Sequence, residues 1–366
     1  MLGCPDQPVH IPDHSGNPGQ YVFGISHHRH LGHHLSQKGG NVSKAHEGLG
    51  HVAVVLLNWN GWKDTCACID SLLAQHYDNY SIVVVDNQSA DDSEERIQRH
   101  IQAVQSTPDN VPVGLHKQIL YIQAGENGGF AKGNNKGIQA ALNYGADMVW
   151  VLNNDTEVDG EALAKAVTCL QADSKTGMCG SVLVYFDDRS RIQAVGGVEF
   201  FIRRARGEQI GEGLNPTSAD LNAVASQHEL TYIAGAALLV KAELLCDVGL
   251  MSEDYFLYFE EIDWCSRAVS KGWKLVTATD SFVFHKEGAS IGTASRTRRS
   301  PLSQYYLSRN LIHFYRRFHP MLAPVAMTRV LRDAVLLTVS KETTLGKVTW
   351  RAFRDGLTGL KGKVTL

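Results

Sequence analysis

The rhythm of apolar and polar positions changes at residue 51. From there "HVAVVLLNWN" is a continuous apolar run closed by Asn and Gly, the pattern of a parallel strand buried on both faces. In "DTCACIDSLLAQ" the residues Cys66, Ile69, Leu72 and Leu73 recur at helical spacing, with Asp64 as the expected N-cap. A strand "SIVVVDNQS", a polar helix near 91–104, a strand "QILYIQA", a helix near 131–144 and a strand "MVWVL" follow. Strands that alternate with helices predict βαβ units, right-handed crossovers and a parallel sheet covered on both faces.

The second half is less regular. "TGMCGSVLVYF", "QAVGGVEFF", "TYIAGAALLV" and "KLVTATDSFVFH" read as strands, partly antiparallel, and "EEIDWCSRAVSKG" as a short helix stopped by Gly272. From 301 to the end the texture is helical and basic, with 11 Lys or Arg against three acids. Residues 1–49 lack any period and hold eight of the 16 histidines, which predicts a disordered leader; clustered imidazoles there could also chelate a transition metal. The expected organisation is therefore a leader (1–49), an α/β domain (50–300) and a C-terminal basic helical segment (301–366).

Composition narrows the class. The 366 residues are 43% hydrophobic and 20% charged, with a formal net charge of −3, so the chain as a whole is no polyanion binder. The basic residues gather after 296 without a nucleic-acid-binding motif, which argues against DNA or RNA as a partner. Seven scattered cysteines give no zinc site or disulfide framework, and point to a reducing cytoplasm. No apolar run approaches the ~18–20 residues of a spanning helix.

In a parallel sheet, ligands bind beyond the carboxyl ends of the strands. Those ends here are Asn58–Trp59–Asn60, Asp86–Asn87, Glu126–Asn127–Gly128–Gly129 and Asn153–Asn154–Asp155, all polar or Gly apart from Trp59. Asp155 suits a hard cation, with phosphate oxygens of a ligand completing the shell. The competing readings are a simple polar turn and a calcium loop; the latter fails because position 12 is Ala166 and no helix precedes it. Asp86 can accept from a base N–H, or merely cap a helix. "GENGGFAKGNNKGI" fits neither a P-loop nor a dinucleotide fingerprint, yet its glycines permit close backbone approach. Glu260, Glu261 and Asp263 crowd together after an aromatic run, and crowded acids in an apolar cleft suit a general base; a helix-capping cluster is the plainer alternative. His285 ends an apolar strand, either as a structural histidine or as a metal ligand that complements Asp155.

Taken in order, "VVLLNWNGWKDTCACIDSLLAQ", "IVVVDNQSADDS", "ENGGFAKGNNKGI", "VWVLNNDTEVD", "FLYFEEIDW" and "FVFHKEGAS" resemble the family 2 glycosyltransferases of the GT-A fold, within them the rhamnosyltransferase-like branch, over residues 51–315. The resemblance implies a Rossmann-like, mostly parallel central sheet with helices on both faces and a C-terminal helical segment. It also implies a dTDP- or UDP-sugar donor, Mg²⁺ or Mn²⁺, and inverting transfer, such as of rhamnose, to a glycan or lipid-linked acceptor in cell-surface polysaccharide synthesis. Asn58 and Asp86 fall where the family holds base and ribose. Asn127, Gly128, Gly129 and Asn134 fall in the donor loop, and Asn154 joins the donor-binding set. Asp155 matches the last acid of the D-x-D motif, whose first acid is Asn153 here, and His285 matches a histidine that completes the metal site. Glu260 and Glu261 match the acidic pair that contains the base, and either of the two can fill that role.

Two other functions compete. A nucleotidyltransferase would need a basic triphosphate loop near the first strand, which "LNWNGWKDT" lacks. The missing first acid favours a non-catalytic carbohydrate- or membrane-binding protein on the same scaffold. The basic tail, with "LIHFYRRF" at 311–318, predicts peripheral attachment to the inner face of an anionic plasma membrane, against the alternative of a helix packed on the core.

Overall fold

A computed structural model describes residues 49–106, 117–286 and 299–366. The histidine-rich leader up to residue 48 and the "EGAS" end of the last family stretch lie outside them.

The apolar run after residue 51 forms β1 (Val52–Asn58), in which only Leu57 escapes full burial. The alternation then proceeds as the pattern predicts, through α1 (Trp62–Leu73), β2 (Tyr80–Asp86), α2 (Ser93–Gln105), β3 (Ile119–Gln123), α3 (Gly129–Asn143) and β4 (Met148–Asn153). One detail differs: Gly61, not Asp64, caps α1, and Asp64 sits in the first turn, where a carboxylate still favours the helix dipole.

Next come β5 (Thr156–Val158), α4 (Ala162–Gln171), β6 (Thr176–Tyr185), β7 (Ile192–Val195), β8 (Gly197–Phe201), β9 (Arg206–Gln209), α5 (Leu221–Gln227), β10 (Tyr232–Ile233), β11 (Ala237–Lys241), α6 (Ala242–Val248), α7 (Glu260–Ser270) and β12 (Lys274–His285). The chain then forms α8 (Pro301–Phe318), α9 (Ala323–Val339) and α10 (Thr343–Thr358).

The main sheet runs β3-β2-β1-β4-β11-β6-β12-β5, with β7 added to β6. Its first four strands are parallel. β11 is antiparallel to both β4 and β6, so β6 and its parallel neighbour β12 regain the direction of β1. The sheet is therefore mostly parallel. Alternate residues of β1 serve opposite faces: Val52, Val54 and Leu56 pack with Ile69 of α1, Ile97 of α2 and Leu163 of α4. Ala53 and Val55 pack with Ile138 of α3, Leu244 of α6 and Trp264 of α7. A smaller antiparallel sheet, β10-β8-β9, flanks this layer.

The stretch 311–318 is core. Ile312, Phe314 and Tyr315 of α8 pack with Tyr255 and with Ala326 and Val330 of α9. Arg316 donates to the carbonyls of Gly356 and Leu357, and Arg317 pairs with Asp263. The aromatics that look interfacial in the sequence thus face inward, and the packed-helix alternative holds for α8.

Candidate active site

Register brings the polar strand ends together. Asn58 pairs with Asp86 across β1 and β2, and Leu57 with Asn153 across β1 and β4. The Asn58 amide donates to Asp86 Oδ2 at 2.7 Å, the Ser89 N–H donates to Asp86 Oδ1 at 2.7 Å, and Thr65 Oγ1 donates to Asn58 Oδ1 at 2.7 Å. Asn154 joins this net by donating to Thr65 Oγ1 at 2.9 Å. Asn58 and Asp86 are fully buried. They lie one layer behind a cavity of about 460 Å³ whose near wall is made by Leu57, Trp59 and Asn87.

The loop before α3 also meets this cavity. Asn87 donates to Asn127 Oδ1 and to the Gly129 carbonyl, both at 3.2 Å, and accepts from the Gly128 N–H. Gly129 has a φ of +88°, and a Cβ there would stand 2.1 Å from the Phe256 carbonyl, so no side chain fits. The Gly129 and Phe130 N–H groups are committed to Asn127 Oδ1 and the Phe256 carbonyl. The first turn of α3 is therefore capped by protein groups. Asn127, Gly129 and Asn154 line the cavity, while Gly128 and Asn134 sit behind it. Asn134 donates to the Phe130 carbonyl at 3.0 Å.

Asp155 and His285 stand side by side on the cavity wall. Strand β12 runs antiparallel to β5 with His285 opposite Thr156, which sets His285 Nε2 3.3 Å from Asp155 Oδ1. Burial pushes the Asp155 carboxyl up, but the hydrogen bond and charge of His285 outweigh it and hold the carboxyl below its ordinary value. Gln193 of β7, itself buried, accepts from His285 Nδ1 at 2.9 Å, and Asn153 Nδ2 lies 3.3 Å from Nε2. With its Nδ1 proton directed at Gln193, the neutral imidazole offers its Nε2 lone pair to Asn153 Nδ2, and the protonated ring donates to Asp155 Oδ1 instead. A carboxylate beside an oriented imidazole is a donor set that fits Mg²⁺ or Mn²⁺ if ligand oxygens fill the remaining positions. Among the described residues no group of three or more acidic, His or Cys side chains gathers as a metal cluster. Asn153, where a second carboxylate was expected to be missing, serves the histidine.

The same cavity is lined by Glu260 and Glu261, which open α7. Both Glu260 oxygens are buried without a hydrogen-bond partner. Burial, and then the charge of Glu261, push the Glu260 carboxyl well above the usual range, and burial raises Glu261 as well. Glu261 is only half-buried, and a Cβ at Gly235 would meet its Oε1 at 2.2 Å. Asp263 is different. Arg267, Tyr255 and Arg317 reach its carboxylate at 2.7, 2.9 and 2.8 Å, so it ties α7 to α8 and leaves the cavity alone.

The loop feeding Glu260 is strained. Phe256, Tyr258 and Phe259 have φ of 69°, 67° and 77°, conformations bulky residues avoid. Asn310 of α8 answers with one amide that donates to the carbonyls of Tyr255, Leu257 and Tyr258 at 2.8–3.0 Å. The buried Arg309 guanidinium adds bonds to the carbonyls of Tyr255 and Gly362, both at 2.7 Å. Sequence reasoning missed Gln193, Asn87, Gly235 and Asn310 as site residues. Asn87 sat at a recognised strand end; the other three carry no motif.

A mostly parallel sheet thus brings an acid at one strand end, an oriented histidine beside it and an acid pair to one cavity, on a fold of the GT-A type. Residues 53–227 match the family described as Glycosyl transferase family 2. It is 24% identical over 255 residues to the dTDP-rhamnosyl transferase RfbF of Shigella flexneri, covering 67% of this chain and 81% of that relative. Its fold is similar to the mannosyltransferase PcManGT from Pyrobaculum calidifontis, solved with GDP-Man and Mn²⁺, at a TM-score of 0.51 and 16% identity over 84% of this chain and 87% of that one. The TarS 1–349 fragment from S. aureus, solved with UDP-GlcNAc, gives a TM-score of 0.53 at 13% identity over 85% of this chain and 81% of that one.

Proposed function

We propose that this protein moves a sugar from a nucleoside-diphosphate donor to a hydroxyl of a glycan or lipid-linked acceptor, with inversion at the anomeric carbon. The observation that carries the reading is one cavity lined both by Asp155 with His285 and by Glu260 with Glu261. The diphosphate would lie against the first pair and the acceptor hydroxyl against the second. Bound at Asp155 and His285, Mg²⁺ or Mn²⁺ would neutralise charge that gathers on the leaving diphosphate.

The chain's own groups do the rest. A sugar hydroxyl is a poor nucleophile, so a carboxylate takes its proton as the oxygen bonds to the anomeric carbon and the bond to the diphosphate breaks. Of the two acids, Glu260 is the more deeply buried, so it keeps the shared proton. Glu261, half-buried in the space that Gly235 leaves open, is the ionised member and the base. Asn87, Asn127 and Gly129 shape the donor loop. Asn58 and Asp86 act from behind the wall, by fixing the strand ends that a nucleoside would rest on.

A rhamnosyl donor such as dTDP-rhamnose is the preferred candidate, because the relative from Shigella flexneri bears that activity in its name and the cavity wall is rich in apolar groups (Ala194, Val198, Ala234, Ala236) that suit a 6-deoxy sugar. Work on cell-surface polysaccharide in the cytoplasm, at the inner face of the plasma membrane, is the setting this implies. No helix among the described residues is long and apolar enough to cross a membrane.

The test is slow release of nucleoside diphosphate from a panel of dTDP- and UDP-sugars in Mn²⁺ or Mg²⁺. Release from one donor, lost with EDTA and in Asp155→Ala, supports the proposal. Absence of both release and calorimetric binding of UDP or dTDP sinks it in favour of a non-catalytic scaffold.

A further inference from the structure

Away from the cavity, five arginines line one cleft of about 720 Å³: Arg203, Arg204 and Arg206 from the turn between β8 and β9, and Arg329 and Arg332 from α9. Among the described residues only two carboxylates answer them. Glu208 pairs with Arg206, and Asp333 is shared between Arg329 and Arg332. Arg329 is fixed by its bonds to the Arg204 and Ala205 carbonyls. Burial, and behind it the charges of Arg332, Arg299 and Arg206, press its guanidinium below the ordinary value despite Asp333. Among the described residues, the cleft holds more positive charge than these two carboxylates balance.

The same helix face continues as an apolar one. At ~100° per residue, Ala323, Ala326, Val330 and Ala334 form the buried side of α9, and the cleft residues lie opposite. So do Leu331, Val335, Leu336 and Val339, whose exposures are 38%, 44%, 57% and 74%. Trp350 of α10, 42% exposed, stands beside this row with its indole N–H 3.3 Å from Thr338 Oγ1. A soluble anion would explain the arginines but not the apolar row. A face whose first half meets phosphates and whose second half enters hydrocarbon explains both.

We propose that the exposed face of α9, with Trp350 and the Arg203–Arg206 turn, is the surface by which this protein seats itself on an anionic phospholipid bilayer. This rests on the reading of a membrane-side acceptor above and relocates the contact from α8 to α9. The geometry serves that reading. Strand β9 runs from Arg206 to Gln209, which lines the main cavity, so at ~3.3 Å per residue the headgroup plane lies about 10 Å from the cavity wall.

The test uses the full chain and co-sedimentation with vesicles of phosphatidylcholine, with and without phosphatidylglycerol, at low and high salt. The expected result is salt-sensitive binding to the anionic vesicles only, weakened at least ~10-fold by R203E/R204E, as ~1 kcal/mol per interfacial cation implies. The triple variant V335S/L336S/V339S should lose a similar factor, while both variants keep wild-type donor hydrolysis. Equal binding to neutral vesicles overturns the proposal. So does an intact apolar-row variant whose binding is competed by inorganic pyrophosphate, since that is a soluble-anion site. A drop from dimer to monomer in light scattering of the triple variant, without loss of vesicle binding, assigns the face to a second copy instead. Vesicle binding by a protein that hydrolyses no donor would leave this surface standing and remove only the catalytic reading.

Discussion

The Asn310 side-chain amide donates to the Tyr258 carbonyl at 3.0 Å, two residues before the acid pair and across 52 positions of sequence. The same nitrogen also serves Tyr255 and Leu257. These bonds hold a left-handed loop that would otherwise relax, and the loop aims Glu260 and Glu261 at the cavity. Asn310→Ala should cost roughly 2–3 kcal/mol, since buried carbonyls lose their donor. It should also lower turnover more than donor affinity. Denaturant unfolding and a kcat against KM comparison check this. A variant with reduced stability but unchanged turnover would show that the loop keeps its shape without the amide.

A second expectation concerns Gln193, which touches His285 at 2.9 Å and has no motif of its own. Gln193→Leu removes the acceptor for Nδ1–H and lets the ring rotate. Removal of such an outer partner weakens metal binding ~10–100-fold. The midpoint of Mn²⁺ activation in donor release should rise by that order, and Gln193→Glu should restore much of it. An unchanged midpoint would leave His285 a structural residue.

The alternation of strand and helix through β4 was legible because buried strands and amphipathic helices have different periods, and Asp155 and the acid pair were legible because both end apolar runs. Gln193, Gly235 and Asn310 were not. Each acts across at least 26 residues of sequence on a group it meets only after folding, as Gln193 meets His285 92 positions away. Local pattern holds no trace of such pairs. The tail misled for a related reason. The α8 aromatics and arginines have interfacial composition, yet Tyr255, Ala326 and Val330 cover the aromatics and Asp263 takes up Arg317. Nothing local distinguishes this from the exposed face of α9.

Gly235→Ala probes the acid pair sterically. A Cβ at 2.2 Å from Glu261 Oε1 must displace that carboxylate, because the side chain can move more cheaply than the turn that joins β10 to β11. We expect a folded protein whose donor release falls at least ~100-fold, the scale of a lost general base at its lower limit. Thermal unfolding and donor release measured together check this. Wild-type activity would place the working base elsewhere.

The last expectation separates the two acids by pH. Both carboxyls are raised, chiefly by burial, so the folded state holds protons at a pH where the unfolded chain, near the ordinary value of ~4.3, has released them. A group raised on folding contributes stability below its unfolded pKa and loses it as pH rises through the folded one. Glu260→Gln removes the acid that is buried without partners. It should therefore stabilise the protein at pH 8 by about 1 kcal/mol, the size of a typical favourable substitution, and flatten the stability profile at alkaline pH. Activity should survive in part, because Glu261 remains; since Glu260 is already neutral where Glu261 ionises, the acid limb of the rate profile should stay in place. Glu261→Gln should instead abolish transfer at every pH while leaving donor binding intact. Urea midpoints and pH–rate profiles of the two variants decide between them. If Glu260→Gln were the inactive one, the roles given to the pair would have to be exchanged.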